Sequence, residues 1–183
     1  MNTLASTSKT RLMRLFVGLA LLGTLLALGI ACNNTNTSYK DSVKKALEQA
    51  DLKDVTVSED SAKNTITLSG TLHSDDAKSR AGSIAQANAG PRIVANEVGV
   101  EPVGNEGQSK KEQSNLDNAI ESNYKASLTS KGLDKQRISC NAKNGVLTLK
   151  GSVKTPSDRK AAEELAQNVP NVQQVVNEIQ VRR

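Results

Sequence analysis

The chain has 183 residues, with 24 Lys and Arg, 19 Asp and Glu, one histidine and an aromatic content of 2%. A single histidine, His73, argues against a histidine metal site and a histidine-dependent triad. After residue 32 only Tyr39 and Tyr124 are aromatic, so no stacking platform for nucleic acid is available. The composition therefore predicts no enzyme, no cofactor and no nucleic-acid partner.

Residues 1–31 have the pattern of a signal peptide. Lys9, Arg11 and Arg14 form a positive start, and residues 15–31 are continuously apolar. The segment that ends at Cys32 resembles a bacterial lipoprotein processing box, which predicts acylation of the Cys32 sulfur. The alternative is an uncleaved anchor, because the 17 residues of this run (15–31) are just long enough to span a bilayer.

Residues 32–40 are predicted to be the acylated N-terminus and a polar tether. Six residues, 33–38, reach at most about 20 Å, so a membrane would be the neighbour of the first domain. Asn33 resembles the sorting residue of lipoproteins sent to the outer membrane. We therefore expect an outer-membrane lipoprotein that faces the periplasm, with anchoring in the inner membrane as the alternative.

The rest of the chain is duplicated. A shift of 81 positions, the offset between Gly70 and Gly151, aligns residues 42–100 with 123–181 without a gap. Two units are too few for a solenoid, so we expect a tandem of small domains at 41–101 and 115–183. The linker, 102–114, has no apolar period, which allows domain movement, although docking of one domain on the other would stabilise both.

Each unit is predicted to fold as αββαβ. Apolar residues at helical spacing predict first helices at 43–50 and 115–131, the second starting near Ser114. Strict alternation predicts strands at 65–72 and 146–153, each preceded by a short strand. Ser74 and Thr155 are typical N-caps of a second helix, and a last strand follows. The fold class is α+β, with a three-stranded mixed sheet in each unit and two helices packed on one face.

Four side-chain placements follow from the same patterns. Gly70 and Gly151 should lie on the packed face of the sheet, where a helix crosses close to the backbone. The opposite face should be wet. Asn96 and Asn177 repeat on the apolar side of the last strand, which predicts buried hydrogen bonds with a structural role.

The pattern resembles the BON domain (bacterial OsmY and nodulation). The resemblance rests on Leu68-Ser69-Gly70 and Leu149-Lys150-Gly151, on the repeated Ala-Gln pairs at 85–86 and 166–167, and on the closing Val-X-Asn-Glu segments. It covers nearly everything after Tyr39. It implies binding modules without a catalytic site, in a cell-envelope lipoprotein that supports envelope integrity or stress tolerance.

Charge differs between the two units. Residues 41–103 contain 7 Lys and Arg against 10 Asp and Glu, whereas residues 115–183 contain 11 against 7. The basic second unit fits binding of anionic phospholipid, since each basic residue near an anionic surface contributes about 1 kcal/mol. The resemblance also implicates the first helix of the second domain in such contact. The candidate phospholipid-binding residues are Tyr124, Lys125, Lys131, Lys135 and Arg137.

Two other interpretations remain open from the sequence. Tyr124 falls on the apolar stripe of its helix, which also favours core packing, and scattered lysines can simply form a solvated face. The runner-up function is a periplasmic adaptor or chaperone-like scaffold that binds envelope proteins through a strand edge or the open sheet faces. Those faces comprise Thr65, Thr67, Ser69, Thr148, Lys150 and Ser152.

Overall fold

A computed structural model describes residues 38–182 of the chain. The predicted signal peptide, the Cys32 acylation site and the tether up to residue 37 lie outside the described residues. Among residues 38–182, no helix is both long enough and apolar enough to cross a bilayer.

The two repeats fold alike. The elements of the first domain are α1 (Tyr39–Gln49), β1 (Val55–Asp60), β2 (Thr65–Leu72), α2 (Asp75–Asn88), β3 (Ile93–Asn96) and β4 (Gly99–Val100). Those of the second are α3 (Glu106–Ser130), β5 (Arg137–Lys143), β6 (Val146–Val153), α4 (Pro156–Gln167), β7 (Gln174–Asn177) and β8 (Gln180–Val181).

Each sheet has its longest strand in the middle. β2 pairs antiparallel with β1 and parallel with both β3 and β4, and β6 has the same relation to β5, β7 and β8. The pairs Thr65–Ile93 and Thr71–Gly99 share one register, so β3 and β4 are two parts of one interrupted strand. The α+β fold with three-stranded mixed sheets is therefore confirmed.

The helix starts follow the predicted caps in two cases and differ in one. The Ser74 hydroxyl accepts a hydrogen bond from the backbone amide of Ala77 at 3.2 Å, and the Thr155 hydroxyl accepts one from that of Asp158 at 3.0 Å. α2 and α4 therefore begin as expected. The predicted start of α3 near Ser114 is wrong. α3 begins at Glu106, so most of the predicted linker is helical and only a few residues separate it from β4.

Asp117 shows why the capping pattern at Ser114 misled. Its carboxylate accepts hydrogen bonds from the backbone amides of Asn144 (2.8 Å) and Gly145 (3.1 Å), in the β5–β6 turn. The acidic residue that looked like part of a cap therefore binds a hairpin, and the helix passes through this position without interruption.

Each domain has its own hydrophobic core between the helices and one face of the sheet. In the first domain, Val43 and Leu47 of α1 and Ala81 and Ala85 of α2 are buried with Leu68 of β2. In the second, Ile120, Tyr124 and Leu128 of α3 are buried with Leu147 and Leu149. Two separate cores explain why each repeat contains the full αββαβ pattern.

Gly70 and Gly151 have a different role from the predicted one. Both are exposed, and their φ angles are +118° and +112°. A Cβ at either position would collide with a backbone carbonyl oxygen, that of Asp54 or Arg137, at the beginning of the adjacent strand. The expectation of a close helix is wrong, since the glycines serve a positive φ and a close backbone approach.

We expect the substitution Gly151→Ala to lower the free energy of unfolding by about 2–3 kcal/mol, because it adds left-handed strain and a backbone collision. Gly107→Ala is the control. Gly107 lies in α3 with open space around it, so alanine there should be neutral or stabilising by up to about 1 kcal/mol. Urea unfolding of both variants tests this, and equal stability of the two would contradict it.

Candidate functional site

The outer faces of the two sheets meet instead of remaining wet. Val146 and Val176 of the second domain are 2% and 0% exposed and pack against Ala95 of the first. Thr65 and Thr148, on the outer faces of β2 and β6, are also buried. The predicted wet face is therefore wrong at these positions, and two of the six residues offered as an open binding face are covered.

The contact relates equivalent positions of the repeat. Ala95 and Val176 occupy the same place in the two copies, and so do Thr65 and Val146. Gln174 of β7 accepts a hydrogen bond from the amide of Asn96 and donates one to the carbonyl of Val94, both in β3. The domains thus pack edge strand to edge strand around a pseudo-twofold axis.

The repeated glutamates at the end of β3 and β7 connect the domains. Glu97 pairs with Lys143 at 3.3 Å, and its carbonyl accepts a 2.7 Å hydrogen bond from the Asn144 side chain. Glu178, at the equivalent position, pairs with Lys63 at 3.5 Å. The closing Asn-Glu segment therefore has a structural explanation in each copy.

Lys78 joins the same interface from α2. Its ammonium group donates to the carbonyl of Asn144 at 2.8 Å and to the side chain of Gln173 at 3.2 Å. Burial lowers the pKa of Lys78, while Asp75 and Asp117 act in the opposite direction. Lys78 of the first domain therefore donates two hydrogen bonds to the second domain.

Asn96 and Asn177 have the structural role predicted for them. The Asn96 amide donates to the carbonyl of Lys78 at 2.9 Å, and the Asn177 amide donates to the Glu163 carboxylate at 2.8 Å. Each asparagine therefore ties the last strand of its domain to the second helix, which confirms the prediction.

Four exposed basic residues gather at one end of the second domain. Arg137 begins β5 and pairs with Ser152 near the end of β6. Lys154 follows β6 directly, and the backbone amide of Arg182 donates a hydrogen bond to the Val153 carbonyl at 2.9 Å. We call Lys135, Arg137, Lys154 and Arg182 the basic end.

The basic end is not neutralised by ion pairs. Within residues 38–182, none of its four side chains lies in a salt bridge, whereas other lysines of this domain are paired. Asp134 is its sequence neighbour, and Asp158 accepts a hydrogen bond from Gln136 close by. Four cationic groups therefore face two carboxylates, and the surface is left positive.

The predicted lipid contacts divide into three groups. Lys135 and Arg137 belong to the basic end, and Lys131 is exposed at the C-cap of α3, which leads to it. Lys125 lies further back along α3 and pairs with Glu121 at 3.4 Å. Tyr124 is 0% exposed, so the prediction that it contacts lipid is wrong for this fold.

The Tyr124 side chain is part of the second core. Its hydroxyl donates to the carbonyl of Ala162 in α4 at 3.2 Å, and burial raises the pKa of the phenol. Cys140 is partly buried beside this core, and burial raises the pKa of its thiol. The apolar stripe of α3 therefore points inward, as the alternative interpretation held.

The equivalent end of the first domain carries the opposite charge. Asp54 lies beside Gly70 where the second domain has Arg137 beside Gly151, and Glu101 aligns with Arg182. Asp75 and Asp76 begin α2 at the same end. We call Asp54, Asp75, Asp76 and Glu101 the acidic end; all lie outside salt bridges among the described residues.

A polar cleft of about 560 Å³ lies between β4, the first half of α3 and the β5–β6 hairpin. Its walls carry Lys110, Asn118 and Lys143, together with the carboxylates of Asp117 and Glu121 that bind backbone amides. Among residues 38–182, no group of His, Cys, Asp and Glu side chains is arranged to hold a metal ion.

Comparison with protein-family models gives two matches to the BON domain, at residues 35–102 and 116–183. The chain belongs to the BON domain family. Two matches that follow the two αββαβ units agree with the repeat. Among curated proteins, no match was found.

Among solved structures, the chain is similar to the C-terminal domain of CdsD, described as the structural protein of the type III secretion system of Chlamydia trachomatis. The identity is 12% and the TM-score 0.32, over 76% of this chain. The chain spans 62% of that structure's length.

Proposed function

We propose that this BON protein is a non-enzymatic cell-envelope lipoprotein whose second domain binds anionic phospholipid. The observation that carries the proposal is the basic end, where four exposed cationic side chains lie together without ion-pair partners among the described residues. Phosphate groups of a bilayer complement such a surface, and basic residues near an anionic leaflet contribute about 1 kcal/mol each. A role in envelope integrity or stress tolerance follows from the family resemblance.

The anchor is the second part of the proposal. Cys32 would be acylated and would hold the protein in the outer membrane, with the domains in the periplasm and envelope proteins as further neighbours. Mass spectrometry of the native N-terminus tests this. Acylated Cys32 as the first residue is the expected result, and an intact residue 1 with a free thiol at Cys32 would overturn it.

Lipid binding can be measured on residues 36–183, which form one compact unit with its own cores. We expect this unit to float with phosphatidylglycerol vesicles and not with pure phosphatidylcholine vesicles. The bound fraction should fall severalfold between about 0.05 and 0.3 M salt, because salt screens exposed charges. Equal flotation with both vesicle types would contradict the proposal.

The adaptor function is the second candidate, and the polar cleft is the observation that favours it. Its walls come from both domains, so a bound peptide segment would contact both. Pull-down of an envelope protein that is lost in Lys143→Ala, together with indifference to lipid charge, would support the adaptor over the lipid-binding function.

A further inference from the structure

The contacts between the domains determine where the basic end and the acidic end lie relative to each other. Lys63, just before β2, contacts Glu178, just after β7. Asn144, just before β6, contacts Glu97, just after β3. Since β3 runs parallel to β2 and β7 parallel to β6, the start of each central strand lies beside the finish of the other domain's edge strand. β2 and β6 therefore run in opposite directions.

This arrangement places the basic and acidic ends at opposite extremes of the docked pair. Ten residues separate Lys63 from His73 along the first domain. The amide of Glu178 bonds the Leu149 carbonyl, and only a few residues of β6 separate that level from Lys154. At about 3.3 Å per residue, the two ends are roughly 45 Å apart.

We propose that the docked pair binds an anionic bilayer end-on, through Lys135, Arg137, Lys154 and Arg182, and holds the acidic end away from the surface. This inference rests on the proposed phospholipid binding and adds the contact face and the orientation. Lys154 and Arg182 complete the face from β6 and β8. The exposed Val181 lies between Gln180 and Arg182 and gives this end an apolar side chain as well.

Screening explains why the end-on orientation is favoured over a flat one. The Debye length is about 8 Å at physiological ionic strength, so charges farther from a surface barely feel its potential. If the molecule lay flat, both ends would come within that distance, and the attraction of one would be offset by repulsion of the other. End-on, the acidic end is more than about five Debye lengths away.

The repeat supplies a matched pair of variants. Arg137→Gln with Arg182→Gln and Asp54→Asn with Glu101→Gln alter equivalent positions by equal and opposite charge. We expect the first variant to bind phosphatidylglycerol vesicles at least tenfold more weakly than the parent unit, and the second to bind within twofold of it. If the second variant binds tenfold more tightly, net charge governs binding and the orientation is wrong.

The orientation itself can be read with two probes at equivalent, exposed positions. A fluorophore on a cysteine at Ser157 reports the basic end, and one at Asp76 reports the acidic end, each in a Cys140→Ser background. With a quencher attached to lipid headgroups, we expect strong quenching at position 157 and none at 76. Equal quenching, or stronger quenching at 76, would overturn the orientation while leaving lipid binding intact. Absence of binding by the parent unit would overturn the proposed function itself, and the orientation with it.

Discussion

An alanine at position 124 is expected to lower the free energy of unfolding by about 3–5 kcal/mol, because it removes a fully buried aromatic ring from the second core. The neighbouring side chains of Ile120, Leu128 and Leu147 are themselves buried and cannot fill the space without moving the helix. Urea unfolding of residues 36–183 measures the loss. A change below about 1 kcal/mol would contradict the placement of Tyr124.

Tyr124→Phe separates the two interpretations of this residue. It keeps the ring and removes the hydroxyl that donates to the Ala162 carbonyl, so we expect a loss of about 1 kcal/mol. Vesicle binding by the folded variant should be unchanged. If Tyr124→Phe kept its stability and lost vesicle binding, the ring would have to act at the lipid surface after all.

The repeat made most of the fold predictable. Periodicity locates β2 and β6, and the hydroxyl caps at Ser74 and Thr155 locate the starts of α2 and α4. The start of α3 was harder to predict from the sequence, because residues 106–114 have no apolar stripe. Residues 107–114 are helical without contributing to a core, and a sequence pattern reveals a helix through the face that it buries.

The docking of the domains left a signal that the repeat could have revealed. On the outer face of the second sheet, Val146 and Val176 stand where the first copy has Thr65 and Ala95. An apolar residue on a face expected to be wet indicates a partner surface. The pattern of one unit does not identify that partner, which is the other unit of the same chain.

The candidate site was only partly predictable for a different reason. Lys135 and Arg137 are neighbours in sequence, so a charge cluster was visible there. Lys154 and Arg182 lie beside them only because β5 begins where β6 and β8 end, at the same end of the sheet. The sequence shows only that these two positions differ in charge between the copies, since the first copy has His73 and Glu101 there.

Val176→Asp is expected to separate the domains while leaving both cores folded. Val176 is 0% exposed in the docked pair and packs against Ala95 and Val146, and the small polar pocket beside it already holds Glu178, paired with Lys63. Burial of a further carboxylate beside Glu178 costs free energy of the order of several kcal/mol, whereas on an undocked outer face the same aspartate would be solvated. The variant should therefore undock instead of unfolding.

Small-angle scattering and thermal unfolding measure this result. We expect a larger radius of gyration than in the parent unit, and two unfolding transitions in place of one. Val103→Asp is the control, because Val103 lies in the segment that connects β4 to α3 and is 79% exposed. The same chemical change there should leave the radius of gyration and the unfolding transition unchanged. A compact Val176→Asp variant with a single, unshifted transition would contradict the docking.

The same variant also bears on how charge acts in the intact protein. Once undocked, the acidic first domain is no longer held at the far end, because the ion pairs of Glu97 and Glu178 with the opposite domain are lost. Neutralising Asp54 and Glu101 should then strengthen vesicle binding by the undocked variant, because it removes repulsion from the anionic surface, although it has little effect in the docked protein. Such non-additivity is expected when one substitution controls the distance over which the others act. If the neutralised pair had equal effects in both backgrounds, docking would not be what separates the two charged ends.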